Sequence, residues 1–185
     1  MNGVLRRKAG SFFLRSSLFE QLWFVPVWLM LGLSRGAVLA VAFRRLAPLL
    51  GVSVPPYPWV PLVDCRQRLR ALRIGRVVRM AAGYTPWCSN CFAQAITARF
   101  LLVWYGIPYA LFFGLAPAET AGKAQAHAWV ASGPVQVTGG AGFETFTVVG
   151  CFVGAAGSEP FPPLTCRAKR DAGADGYHAA HPRRR

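Results

Sequence analysis

Helices first and a small antiparallel sheet after, an α+β arrangement, is the fold class that this 185-residue chain predicts. Apolar residues recur at helical intervals as far as Val103, the pattern changes to period two beyond Gly106-Ile107-Pro108, and glycine-containing turns separate the later apolar runs. The first run, Phe19 to Leu50, is strongly apolar but contains Pro26 and Arg35 and ends near Arg44-Arg45. Its uninterrupted part before Arg35 falls short of the roughly 20 residues of a membrane span, so it predicts one or two helices that pack on the domain or lie at a membrane surface. Val54-Pro55-Pro56-Tyr57-Pro58 breaks helix geometry and reads as a linker. From Asp64 to Ala82, Leu69, Leu72, Val77, Met80 and Ala81 alternate at helical spacing with Arg66, Arg68, Arg70, Arg73, Arg76 and Arg79, which predicts a basic amphipathic helix. The helix that begins near Cys91 is apolar almost all round, so it is expected at the centre, capped by Gly106 and stopped by Pro108. Strands are predicted at Tyr109 to Leu115, Ala126 to Ser132, Val135 to Thr138 and Thr145 to Val153, with one sheet face against the central helix. Period two puts His127, Trp129 and Ala131 on one face of their strand and Ala128 and Val130 on the other. His127 is expected to point toward the start of the central helix, with Trp129 beside it.

The length suits one domain, 11–154, with its N-terminal helices in 19–50, between a disordered basic N-terminus (1–10) and a disordered tail (155–185) that holds His178 and His181. Lys and Arg number 21 against 7 Asp and Glu, a formal charge of +14, concentrated at the termini and in Arg66 to Arg79. No nucleic-acid motif accompanies that charge, and the aromatics fall in apolar runs, so no nucleic-acid partner is expected. The five cysteines, Cys65, Cys88, Cys91, Cys151 and Cys166, form no disulfide framework and no secretory pattern precedes them, which points to a reducing cytoplasm with possible membrane association. Cys88 and Cys91 make a C-x-x-C, but no second Cys/His pair has zinc-site spacing and no strand directly precedes the motif, so no metal or other cofactor is implied.

The chemistry concentrates at Trp87-Cys88-Ser89-Asn90-Cys91-Phe92-Ala93-Gln94-Ala95. Asn90 suits an N-cap, which leaves Cys91 in the first turn of its helix. Thiolates rather than thiols attack carbonyls, and a helix N-terminus and a neighbouring imidazolium both favour the thiolate. The free N–H groups of a first turn also suit a developing oxyanion. Cys91 with the strand histidine of Ala126-His127-Ala128-Trp129-Val130 therefore reads as a nucleophile and its base.

In order, these residues resemble a family, the transglutaminase-like cysteine proteases of lasso-peptide biosynthesis. The resemblance runs from about Phe12 to Val153 and rests on the hydrophobic N-terminal helices, Ile74-Gly75-Arg76-Val77-Val78 before Pro86-Trp87, Asn90 to Ala95, Gly106-Ile107-Pro108, Ala126 to Val130, and Val137-Thr138-Gly139-Gly140. It implies a papain-like core whose central helix carries the cysteine and packs on a small antiparallel sheet. It also implies an acyl-enzyme on Cys91, proton transfer by His127, and ordinary packing for Cys88, which the family nucleophile position passes over. Family members usually carry an aspartate about a dozen residues after the histidine. Here that region reads Val137-Thr138-Gly139-Gly140, and the acid that precedes the tail is Glu144, the expected third member if the glycine loop folds back. A backbone carbonyl or Thr138 is the alternative means of orienting the ring.

The activity implied is removal of the leader from a ribosomally made precursor peptide. The stretch before Cys91 shows none of the strands of a fused leader-binding domain, so a separate leader-recognition protein and a macrolactam synthetase are the expected partners, with the basic helix as a docking face testable at Arg73 and Arg76. Two alternatives differ in chemistry: an acyl-transfer enzyme that uses an amine in place of water, and an inactive membrane-surface scaffold in which Cys91 is merely buried.

Overall fold

A computed structural model describes residues 17–56, 59–116, 125–140 and 145–154. In chain order these form α1 (Leu18–Ala40), α2 (Phe43–Leu50), β1 (Val52–Val54), α3 (Cys65–Ala82), α4 (Cys91–Trp104), β2 (Tyr109–Ala116), β3 (Gln125–Ser132), β4 (Val135–Thr138) and β5 (Thr147–Gly154). The expected N-terminus 1–10, the tail with Cys166, His178 and His181, and Glu144 lie outside the described residues.

Side-chain caps fix where three helices begin. Ser17 accepts from the N–H of Glu20, whose carboxylate accepts from the Ser17 N–H at 3.0 Å. Asp64 and Gln67 repeat this reciprocal box at α3, and Asn90 Oδ1 accepts from the Ala93 N–H at 3.1 Å to start α4. Each cap satisfies a donor that the helix itself leaves open.

The sequence underestimates α1. It continues through both Pro26 and Arg35 for 23 residues, long and apolar enough by length and composition to cross a membrane. Pro26 is exposed, so the Leu22 carbonyl that loses its helical donor faces solvent, and the interruption costs little. One face of α1 is nevertheless docked. Val27 and Leu31 are fully buried, Glu20 pairs with Arg76 of α3 at 3.0 Å, and Ser34 shares a hydrogen bond with Thr97 of α4. The opposite face leaves Leu18, Leu22, Val25, Leu29 and Leu33 exposed. Of the two arginines suggested as docking residues, Arg76 is thus committed to a buried carboxylate, whereas Arg73 is exposed.

The five strands form one antiparallel sheet in the order β1-β5-β2-β3-β4. Val54, expected to open a linker, instead closes β1, which pairs Val52 with Val153 and Val54 with Cys151 at the sheet edge. Strand alternation divides the molecule into two apolar layers. On the inner side Leu111, Ala128, Val130 and Val137 pack with Ile74, Val78, Leu101 and Leu102 of α3 and α4. Gly75 lets α3 approach β4 closely, since a Cβ there would collide with the Val137 carbonyl, which also accepts from Arg79. On the outer side Ala110, Phe112, Trp129 and Cys151 form a second cluster with Trp59, Phe146 and Val148.

Candidate active site

The loop that delivers Cys91 is held firmly. Trp28 of α1 donates to the Tyr84 carbonyl and its ring lies 4.9 Å from that of Trp87. Thr85 Oγ1 donates within the turn and shares a hydrogen bond with Ser89 Oγ, while Gln94 Nε2 donates to the Ser89 carbonyl at 2.7 Å. Cys91 follows as the first residue of α4, half-buried against the inner core. Because the cap takes the Ala93 N–H, the N–H groups of Cys91 and Phe92 remain the open donors of this helix end. Cys88, expected to pack, is exposed: its place in the turn before the helix directs it to solvent.

His127 is the third residue of β3 and half-buried. Its ring stacks on Trp129 at 5.8 Å and lies 4.9 Å from Phe146, both members of the outer cluster. A carbonyl can only accept, so in the 2.8 Å contact with Gly139 O it is Nε2–H that donates, and Nδ1 is the acceptor of the neutral ring. Gly139 sits at the position, twelve residues on, where the sequence resemblance expected an aspartate. Its φ of 104° suits glycine, and a Cβ there would collide with that of Trp129. The backbone carbonyl envisaged as an alternative orienting group is the one in contact. Thr138, the other alternative, is fully buried, and its Oγ1 has no partner among the described residues.

The structure brings the two candidate residues to the same end of the sheet. Phe92, next to Cys91, packs on Phe113 at 5.1 Å; Phe113 pairs in register with Ala128, and Gly114 with His127. The start of α4 therefore lies over the inner side of this end, whereas the imidazole has its neighbours on the outer side. No hydrogen bond joins Cys91 Sγ to the ring among the described residues. Beside the imidazole opens a cleft of about 400 Å³ whose walls include Trp59, Phe112, Trp129, Phe146 and Val148, a feature that reading the sequence for catalytic residue types did not find. A signal was present in Phe112 and Trp129, one large aromatic from each of β2 and β3, which pair in register.

A central helix opened by a capped cysteine, laid on an antiparallel sheet with a histidine on the second long strand, is matched over residues 37–151 by the model of the transglutaminase-like superfamily. The chain belongs to this superfamily. The match covers α2 to α4, β1 to β4 and most of β5, so it includes Cys91 and His127 together with the loop between β4 and β5. Membership in the transglutaminase-like superfamily suggests cysteine hydrolase or acyltransferase chemistry. Comparison with curated proteins gave no match. Comparison with solved structures gave none either.

Proposed function

We propose that the protein is a cysteine peptidase that removes the leader from a ribosomally made precursor peptide in lasso-peptide maturation. The observation that carries the reading is the His127 imidazole, locked on the Gly139 carbonyl in the tautomer that leaves Nδ1 basic, at the sheet end covered by the first turn of α4. The resemblance of the cysteine, histidine and glycine segments supplies the substrate class. Residues 141–144, including Glu144, add no geometry to this reading.

The chemistry follows from these groups. Nδ1 of His127 takes the thiol proton as Sγ of Cys91 attacks the scissile carbonyl, and a C–S bond forms while the carbonyl π bond opens to an oxyanion. The N–H groups of Cys91 and Phe92 are the donors available to that oxyanion. Collapse breaks the C–N bond, and the imidazolium gives its proton to the leaving amine. A water, deprotonated by the same Nδ1, then attacks the thioester; the C–S bond breaks, the carboxylic acid leaves and the proton returns to sulfur. This transfer requires the thiol, packed over the inner side of the sheet end, and the imidazole, with its neighbours on the outer side, to come together in the enzyme–substrate complex. A separate leader-recognition protein and a macrolactam synthetase are the partners this role requires.

The test incubates the precursor peptide and recognition protein with wild-type, Cys91→Ala and His127→Ala chains and follows the products by mass. Each substitution is expected to slow cleavage by about a thousandfold or more. Iodoacetamide is expected to modify Cys91 faster than the more exposed Cys88, and to lose that preference in His127→Ala. Equal or slower labelling of Cys91 in both chains sinks the nucleophile assignment. Adding an amine separates hydrolysis from acyl transfer, since only the latter yields the amide mass. The exposed stripe of α1 favours one further reading, the membrane-surface scaffold, which predicts vesicle binding and full function in Cys91→Ala.

A further inference from the structure

We propose that the outer-face cleft beside His127 is a substrate subsite for one large apolar side chain, aromatic or leucine-sized, located within about two residues of the bond under attack. The inference rests on the peptidase reading and adds the substrate preference of that site.

Continuity with the imidazole is the first argument. Trp129 and Phe146 both touch the His127 ring and both line the cleft, so one wall serves the base and the pocket together. The ring centroids of His127 and Trp129 are 5.8 Å apart. Extended chain advances about 3.3 Å per residue, so a peptide lying along β3 reaches past Trp129 within two residues. Chemistry supplies the second argument. Trp59, Phe112 and Val148 complete an apolar lining, and Gln136, the polar side chain among the lining residues, spends its amide on the Gly140 carbonyl. A charged side chain entering here would exchange water for a mostly apolar lining. A large apolar one is favoured there in proportion to the apolar surface it removes from water. Size supplies the third. At about 400 Å³ the cleft lies at the small end of ligand pockets, and its lining includes the small residues Ala131 and Gly133.

The probes are N-acetyl-Xaa-Gly chloromethyl ketones with Xaa as Trp, Leu, Ala, Asp or Lys. Alkylation of Cys91 is followed by peptide mass spectrometry, and every rate is referred to that of iodoacetamide on the same protein. The Trp and Leu probes are expected to react about tenfold or more faster than the Ala and Asp probes. Ala131→Phe fills the cleft and is expected to reduce that advantage to within about twofold. Val60→Glu places a carboxylate at the rim, at a position 65 % exposed where folding tolerates it, and is expected to lower the Leu advantage while raising the Lys rate. A wild-type chain that shows no preference, or a preference that survives both substitutions, overturns the subsite while leaving the nucleophile in place. A Cys91 inert even to iodoacetamide overturns the peptidase reading, and the subsite with it.

Discussion

The two faces of one sheet in this protein are both apolar, yet they are built for different ends. The inner face is aliphatic and small-residue rich, with Leu111, Ala128 and Val130 fully or almost fully buried under α3 and α4. The outer face carries aromatics, a cleft and the His127 imidazole, and no helix packs on its cluster among the described residues. Burying residues under helices secures the fold; leaving rings around a cleft provides groups that a substrate can reach. On the proposed peptidase reading, stability and chemistry are separated by a single alternation of the backbone, and substitutions on β3 should differ in kind from one residue to the next.

The largest contrast should come from truncating each face in turn. Leu101→Ala removes a fully buried side chain from the inner layer and is expected to cost about 3 kcal/mol in denaturant unfolding. Phe146→Ala, on the half-buried outer layer, is expected to cost about 1 kcal/mol while reducing kcat by roughly tenfold, because the imidazole loses a ring that packs against it. Equal stability costs with unchanged kcat would erase the distinction between the faces.

Gly139 sharpens the comparison where the two layers meet. Gly139→Ala forces a Cβ against Trp129 at a φ of 104°, with an expected cost of about 2 kcal/mol and a loss in kcat larger than any change in KM. A variant with unaltered kcat would show that the carbonyl position does not govern the base.

Cys151 reports on the dryness of the outer cluster. Burial pushes its thiol from 9.0 up to about 11. Between these values the folded chain holds a proton that the unfolded chain has lost, so stability falls as pH rises from 9 to 11 and the contribution is intact below 9. The shift amounts to as much as about 2 to 3 kcal/mol, at 1.36 kcal/mol per pKa unit. Cys151→Ala should flatten this part of the pH–stability curve, and an unchanged slope would place the loss elsewhere.

The smallest effect expected is at the ion pair that ties α1 to α3. Arg76→Ala leaves Glu20 buried without its cation and should cost about 1 kcal/mol, whereas Arg73→Ala should be neutral to within about 0.5 kcal/mol. Comparable melting temperatures for the two variants would mean that the Glu20 carboxylate finds other partners.

Much of this layout was legible in the chain. The caps Asp64 and Asn90, the period-two runs and the helical spacing of α3 each state a local preference that the fold keeps. The misses have physical causes. β1 has only three residues and gains its order from β5, a partner about a hundred positions away, which no local window contains. α1 outlasts Pro26 and Arg35 because tertiary packing on α3 and α4 outweighs the local penalties that suggested an interruption. The direction of His127 was hidden because β3 is apolar on both sides, so Ala128 and Trp129 compete equally for the inner face in a hydropathy reading. The Asn90 cap distinguishes Cys91 from Cys88 locally, but that Cys88 faces solvent follows from the turn at Thr85 to Ser89, which the local pattern did not show.

The Gly139 carbonyl has a consequence for genetics. An orienting group made of main chain is the same atom in every amino acid, so alanine scanning can delete Cys91 or His127 but cannot delete this acceptor. Nor does a carbonyl titrate, so this contact introduces no protonation step of its own into the acid limb of a rate profile. Among the described residues the contact that orients the His127 ring is set by a backbone conformation, which a search for acidic side chains would pass over.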